Sequence, residues 1–150
     1  MQNQMTDQAQ VLWRKISKTR PSVSEQADNV LISIALLGLV ATVADGEPVS
    51  REVDKFLLSF RRKFALSSRQ TLRLVSTALT ILRRDEQGKA VEHACDTINE
   101  HLTCAQRCEM FEKLIDIVLV DGRLAHGEEV YLDYIAQRLG LIDSLQQRYP

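Results

Sequence analysis

Carboxylates placed around two Asp-Gly turns are the residues of this 150-residue chain best suited to chemistry. Carboxylate oxygens are the ligands that Ca²⁺ and Mg²⁺ prefer, and a tight glycine turn adds backbone carbonyls. The alternating acidic pattern of an EF-hand is absent. The sequence therefore indicates a candidate site for a divalent cation, with these members: Asp45, Glu47, Glu52, Asp121 and Glu128.

A purely structural interpretation of the same carboxylates stays open. An acidic side chain in the first turn of a helix is stabilised by the positive end of the helix dipole. Glu52 has that place in a predicted helix, and Asp45 would then cap the preceding turn. Residue types alone do not separate a cation site from a pair of caps.

A third interpretation makes the second turn the metal centre of an enzyme. His126 lies between Asp121 and Glu128, and such a set suits a transition metal. Arg123 argues against it, because a cationic side chain in the same turn would pair with Asp121 and repel a metal. No nucleophile with a nearby histidine and no glycine-rich phosphate loop is found, so we expect a protein that is not an enzyme.

The three cysteines favour a structural role. His101, Cys104 and Cys108 have spacings of three and four, which would suit zinc on one helix. Thr103 begins a capping box with Gln106, however, so a helix boundary falls inside the set. An odd number of cysteines in a chain without a secretory signal predicts free thiols and a cytoplasmic location.

The element that must position the first acidic turn is an uncharged run over 29–44. Because it is apolar on every side, it predicts a helix covered by other helices. About fifteen residues are too few for the roughly 20 that span a bilayer, so we expect no transmembrane segment. Gly46 and Pro48 end the helix, and Ser50 is placed to cap the next one.

The same arrangement returns 76 positions later, since Asp45 corresponds to Asp121 and Glu52 to Glu128. Each Asp follows an apolar helix and precedes an amphipathic one, which indicates an internal repeat. We predict an all-α bundle of about seven helices, built from two pseudo-repeated halves around central helices 31–43 and 111–120. Residues 22–142 form the domain, between an amphipathic arm at 1–21 and a short tail at 143–150.

Capping boxes and apolar spacing predict further helices over 50–65, 67–84, 89–102 and 128–139. In the helix over 67–84, the spacing favours an inward face made of Leu72, Val75, Leu79 and Leu82. The segment 85–88 is the best candidate for a linker.

The two Asp-Gly motifs resemble those of the TerB-like tellurite resistance proteins, a domain that also occurs in DjlA-type co-chaperones. Ala44-Asp45-Gly46 with Glu52, and Val120-Asp121-Gly122 with Glu128, carry the resemblance over about 25–140. It implies a helical fold and a cytoplasmic stress-response module, associated with a metal and working through partner proteins. Pro48 and Arg123 depart from the pattern, and Arg123 makes the second turn the weaker cation site.

Charge is distributed unevenly along the chain. Residues 51–90 contain ten Lys or Arg against four Asp or Glu, whereas the remainder contains nine against sixteen. A basic surface in the middle suits an acidic protein partner better than nucleic acid, because no aromatic residues interleave it for base stacking. A plain scaffold using only this surface is an alternative function. Its members are Arg61, Arg62, Lys63, Arg69, Arg73 and Arg84.

Overall fold

The structure, a computed structural model, describes residues 23–42, 50–118 and 126–141. Within these ranges every regular element is an α-helix, which confirms the all-α prediction. The seventh predicted helix, in the arm at 1–21, lies outside the described residues. The helices are α1 (Val23–Thr42), α2 (Ser50–Lys63), α3 (Ser68–Arg83), α4 (Ala90–His101), α5 (Cys104–Val118) and α6 (His126–Arg138).

Helix α1 is the centre of the bundle because it has no side that water could solvate. Its residues from Ile34 to Leu37 are at most 2% exposed, and the buried Ser33 hydroxyl donates to the Asn29 carbonyl. Its most extensive contacts are with α3 and α4. By length and composition alone, the stretch Glu25–Thr42 is sufficient to cross a membrane, a longer run than the sequence indicated. Most of it is buried against the other helices, as in the core helix of a bundle.

Helix α5 contacts α1 at a glycine, as expected for two adjacent apolar helices. A Cβ placed on Gly38 would lie 3.1 Å from Leu114 Cδ1 and 2.5 Å from Phe56 Cε1. Gly38 therefore lets side chains of α2 and α5 approach the backbone of α1. The Phe56 ring stacks on Phe60 with centroids 5.6 Å apart, and this pair anchors α2.

The predicted inward face of α3 is wrong in one position. Leu72 is 59% exposed, whereas Leu74, Ala78 and Ile81 are buried. Leu72 lies at the polar edge of the predicted face, with Arg69 one turn away and Arg73 next to it in the chain. Exposing one leucine costs less than burying guanidinium groups, so the face that contains Leu74, Ala78 and Ile81 packs inward.

Local polar contacts set the helix boundaries. Ser67 and Gln70 form the predicted capping box of α3, and Thr103 and Gln106 form that of α5. The linker candidate at 85–88 is a closed turn, because the Asp85 carboxylate accepts hydrogen bonds from the backbone N–H groups of residues 89 and 90.

The last helix is fixed at several points along its length. The Tyr131 hydroxyl donates to the Leu37 carbonyl of α1 at 2.9 Å. Near its C-terminal end, Asn99 of α4 donates to the Arg138 carbonyl and Arg107 of α5 donates to the Leu139 carbonyl. Gly140 ends the helix with φ +70°, as the sequence predicted. Helix α6 is thereby held against α1, α4 and α5.

Ala65, just after α2, has a left-handed backbone with φ 53°. A side chain costs roughly 1–2 kcal/mol in this conformation, and glycine avoids the cost. We expect Ala65→Gly to raise the free energy of unfolding by about 1 kcal/mol, measured by urea denaturation. Ala27→Gly, at an exposed position inside α1, should lower it by about 0.5–1 kcal/mol. A loss of stability in Ala65→Gly would contradict this assignment of strain.

Candidate functional site

Helices α1 and α2 flank the first acidic segment, and α5 and α6 flank the second. The two Asp-Gly motifs within these segments are 76 positions apart in the sequence. The segments themselves, 43–49 and 119–125, lie outside the described residues.

The contact between the two apolar helices follows the same interval, because Gly38 and Leu114 also differ by 76 positions. Thr42 and Val118 each lie four residues, or about 6 Å, beyond that contact. Packed helix axes are about 8–10 Å apart, so the contact of Gly38 with Leu114 holds α1 and α5 close together in this region. The residues that precede the acidic segments 43–49 and 119–125 therefore belong to two helices that contact each other.

The predicted cation ligands themselves fall at the edge of what the structure describes. Asp45, Glu47 and Asp121 lie outside the described residues. Glu52 and Glu128 are each the third residue of a helix, in α2 and α6, but their side chains lie outside the described part. The same is true of the side chain of His126, the first residue of α6. The carboxylate cluster therefore stays a prediction.

The zinc arrangement of His101, Cys104 and Cys108 is not formed. His101 ends α4 and Cys104 begins α5, so the helix boundary predicted at Thr103 separates them. Cys108 is buried, whereas Cys104 is exposed. Across 23–42, 50–118 and 126–141 there is no group of three His, Cys, Asp or Glu side chains that could hold a metal ion.

All three thiols are free, as predicted. Burial raises the pKa of Cys95 to about 11, although the nearby Arg138 acts in the opposite direction. Burial likewise raises the pKa of the Tyr131 hydroxyl far above its ordinary range. Both groups stay protonated at neutral pH, so the Cys95 thiol is a poor nucleophile and is suited to packing.

The six predicted basic residues are all exposed, at the end of α2 and along α3. Lys63 pairs with Asp116 at 3.1 Å, and Arg73 pairs with Asp28 at 3.0 Å. The other four form no ion pair with any residue of the described ranges: Arg61, Arg62, Arg69 and Arg84. Basic residues in the last turn of α2 also interact favourably with the helix dipole, whereas Arg69 lies at the start of α3.

Sequence reasoning missed the apolar part of this surface. Leu72, predicted to be buried, lies between Arg69 and Arg73 on the outer side of α3. No signal in the sequence indicated this exposure, because the spacing of apolar residues in α3 permits two apolar faces.

Comparison with known proteins supports the resemblance carried by the two Asp-Gly motifs. A family model described as tellurite resistance protein TerB matches residues 31–148, well over half of the chain. No curated protein and no solved structure matches this chain. The match includes both Asp-Gly motifs and α2 to α6 in full. The chain therefore belongs to the TerB family of tellurite resistance proteins.

Proposed function

We propose that this chain is a non-enzymatic cytoplasmic stress-response module whose two acidic segments bind one divalent cation and present an acidic surface to a partner protein. Membership of the TerB family supports a role in tellurite resistance or a related stress response. The observation that carries the cation proposal is the contact between Gly38 and Leu114 at equivalent repeat positions. It supports the proposal because the two helices that precede the acidic segments are in contact with each other.

The donor chemistry fits a hard cation. Asp45, Glu47 and Glu52 of the first repeat offer only carboxylate oxygens, as do Asp121 and Glu128 of the second. Arg123 reduces the contribution of the second repeat, so we assign the stronger ligands to the first. A bound cation would neutralise these carboxylates and order the surface that the partner meets.

The enzyme alternative at Asp121, His126 and Glu128 has weaker support. The positive charge of Arg123 opposes a metal ion there. The family model that matches the chain is described as a tellurite resistance protein, not as an enzyme. The scaffold alternative, in which the basic surface alone binds a partner, requires no cation. An effect of divalent cations on the stability of the folded protein would distinguish the cation proposal from the scaffold alternative.

We expect Ca²⁺ or Mg²⁺ to raise the melting temperature of the wild-type protein relative to EDTA. A ligand that binds only the folded state stabilises it by about 2.7 kcal/mol at a hundred times its Kd. The double change Asp45→Asn with Glu52→Gln keeps the side-chain shapes and should abolish this response. Without the cation, the double variant should be as stable as the wild type or more stable, because like charges no longer repel.

The matched control is Glu129→Gln with Asp133→Asn, which removes two exposed carboxylates from α6. It should leave the cation response intact. Identical wild-type melting curves in EDTA, Ca²⁺, Mg²⁺ and Zn²⁺ would refute the cation proposal. A modest loss of stability in the double variant, with no cation effect in either protein, would identify Asp45 and Glu52 as caps.

A further inference from the structure

We infer that the outer side of α3 docks an acidic amphipathic helix of a partner protein. This inference is independent of the cation proposal, because it uses a different surface and needs no metal. The surface, named here the α3 stripe, consists of Arg69, Leu72, Arg73, Ser76, Thr80 and Arg83.

The α3 stripe follows one side of a single helix. Its members occur at intervals of three or four along α3, apart from the adjacent Leu72 and Arg73, and such intervals align side chains on one face. Arg69 and Arg83 mark its ends, about 21 Å apart at 1.5 Å per residue. The surface therefore has the length and straightness of a partner helix of about four turns.

An apolar contact lies within this cationic surface. Leu72 is 59% exposed, the most exposed of the large hydrophobic side chains in the described ranges. Beyond it the helix carries only the short side chains of Ser76 and Thr80, and the Thr80 hydroxyl donates to the Ser76 carbonyl of its own helix. These short side chains leave the side of Leu72 open to a side chain of the partner.

Charge complementarity determines which charged side chains the partner helix carries. Helix α3 contains no acidic residue, and Arg69 and Arg83 form no ion pair with any described side chain. Arg73 is paired with Asp28 at 3.0 Å and is therefore partly neutralised. The structure favours a partner helix with acidic residues at two points about fourteen residues apart and an apolar residue one turn from the first.

A protein partner fits this surface better than nucleic acid. Single-stranded nucleic acid is bound by aromatic side chains that stack on the bases, and the α3 stripe has none. Leu72 would gain nothing against a phosphate backbone, whereas it gains from an apolar side chain of a protein.

The test uses a labelled, designed helical peptide with glutamates at those two points and a leucine facing Leu72. Its affinity for the full chain is measured by fluorescence anisotropy, together with that of a peptide of scrambled order. We expect Arg69→Gln and Arg83→Gln each to weaken binding several-fold, and Leu72→Ser by about tenfold, because an apolar contact that becomes buried on binding commonly contributes that much. Lys55→Gln removes one exposed charge from α2 and should leave binding unchanged.

All four positions are exposed, so circular dichroism should show unaltered folding. Absence of peptide binding, or equal affinity for the scrambled peptide, would overturn the inference. A loss of peptide affinity in Lys55→Gln as large as that in the arginine variants would also overturn it. The remaining outcome is that the chain binds a DNA duplex or phosphatidylglycerol vesicles more tightly than the peptide. If the same arginine changes weakened that binding, the result would overturn the inference and assign the α3 stripe to those ligands.

Discussion

Replacing Leu114 with alanine is expected to lower the free energy of unfolding by about 2–5 kcal/mol. Leu114 is fully buried and its Cδ1 methyl group fills the space above Gly38, where α1 and α5 meet. Alanine would leave a cavity between two helices that are held by other contacts and cannot close around it. Urea denaturation monitored by circular dichroism measures the loss.

A matched substitution at the surface is the control for this result. Leu72→Ala removes the same atoms from a side chain that is 59% exposed, and it should change stability by about 0.5 kcal/mol or less. Equal losses in the two variants would mean that the core and surface sides of these helices are assigned wrongly.

The second large effect is expected at Gly38, where valine should cost about 3 kcal/mol, the upper end of the usual range for overpacking. A Cβ alone would lie 2.5 Å from Phe56 Cε1 and 2.9 Å from Phe56 Cζ. The Phe56 ring is 2% exposed and stacked on Phe60, so it has little room to withdraw. Glycine is otherwise a poor helix former, and propensity alone would predict a gain.

A double-mutant cycle tests whether the loss at Gly38 comes from this contact. Phe56→Leu shortens the ring side chain, so the cost of Gly38→Val should be smaller in the Phe56→Leu background than in the wild type. Equal costs in both backgrounds would show that Phe56 is not the group that excludes a side chain at position 38.

Helices and caps were accessible from the sequence because their causes are local. The boxes at Ser67 and Thr103 and the left-handed glycine at Gly140 follow from residue types a few positions apart. The inward side of α3 was not accessible in the same way, since its spacing permits two apolar faces. Only the packed bundle shows that Leu74 is buried and Leu72 exposed.

The candidate sites also differ in how far the sequence alone reveals them. Carboxylates at a shared interval of 76 can be found by inspection, and so can clustered arginines. The role of Gly38 cannot, because a glycine within an apolar helix is compatible with many packings. Its function depends on Leu114, a residue far along the chain that only the fold brings close.

The pairing of Gly38 with Leu114 determines whether one half of the chain could replace the other. Equivalent positions face each other, and one half supplies a hollow while the other supplies the group that fills it. Two copies of the first half would face glycine with glycine and leave a void, whereas two copies of the second would force two leucines into the same space. Each half is therefore specific for the other at this crossing, and exchanging either half for a copy of its counterpart would require this contact to be rebuilt.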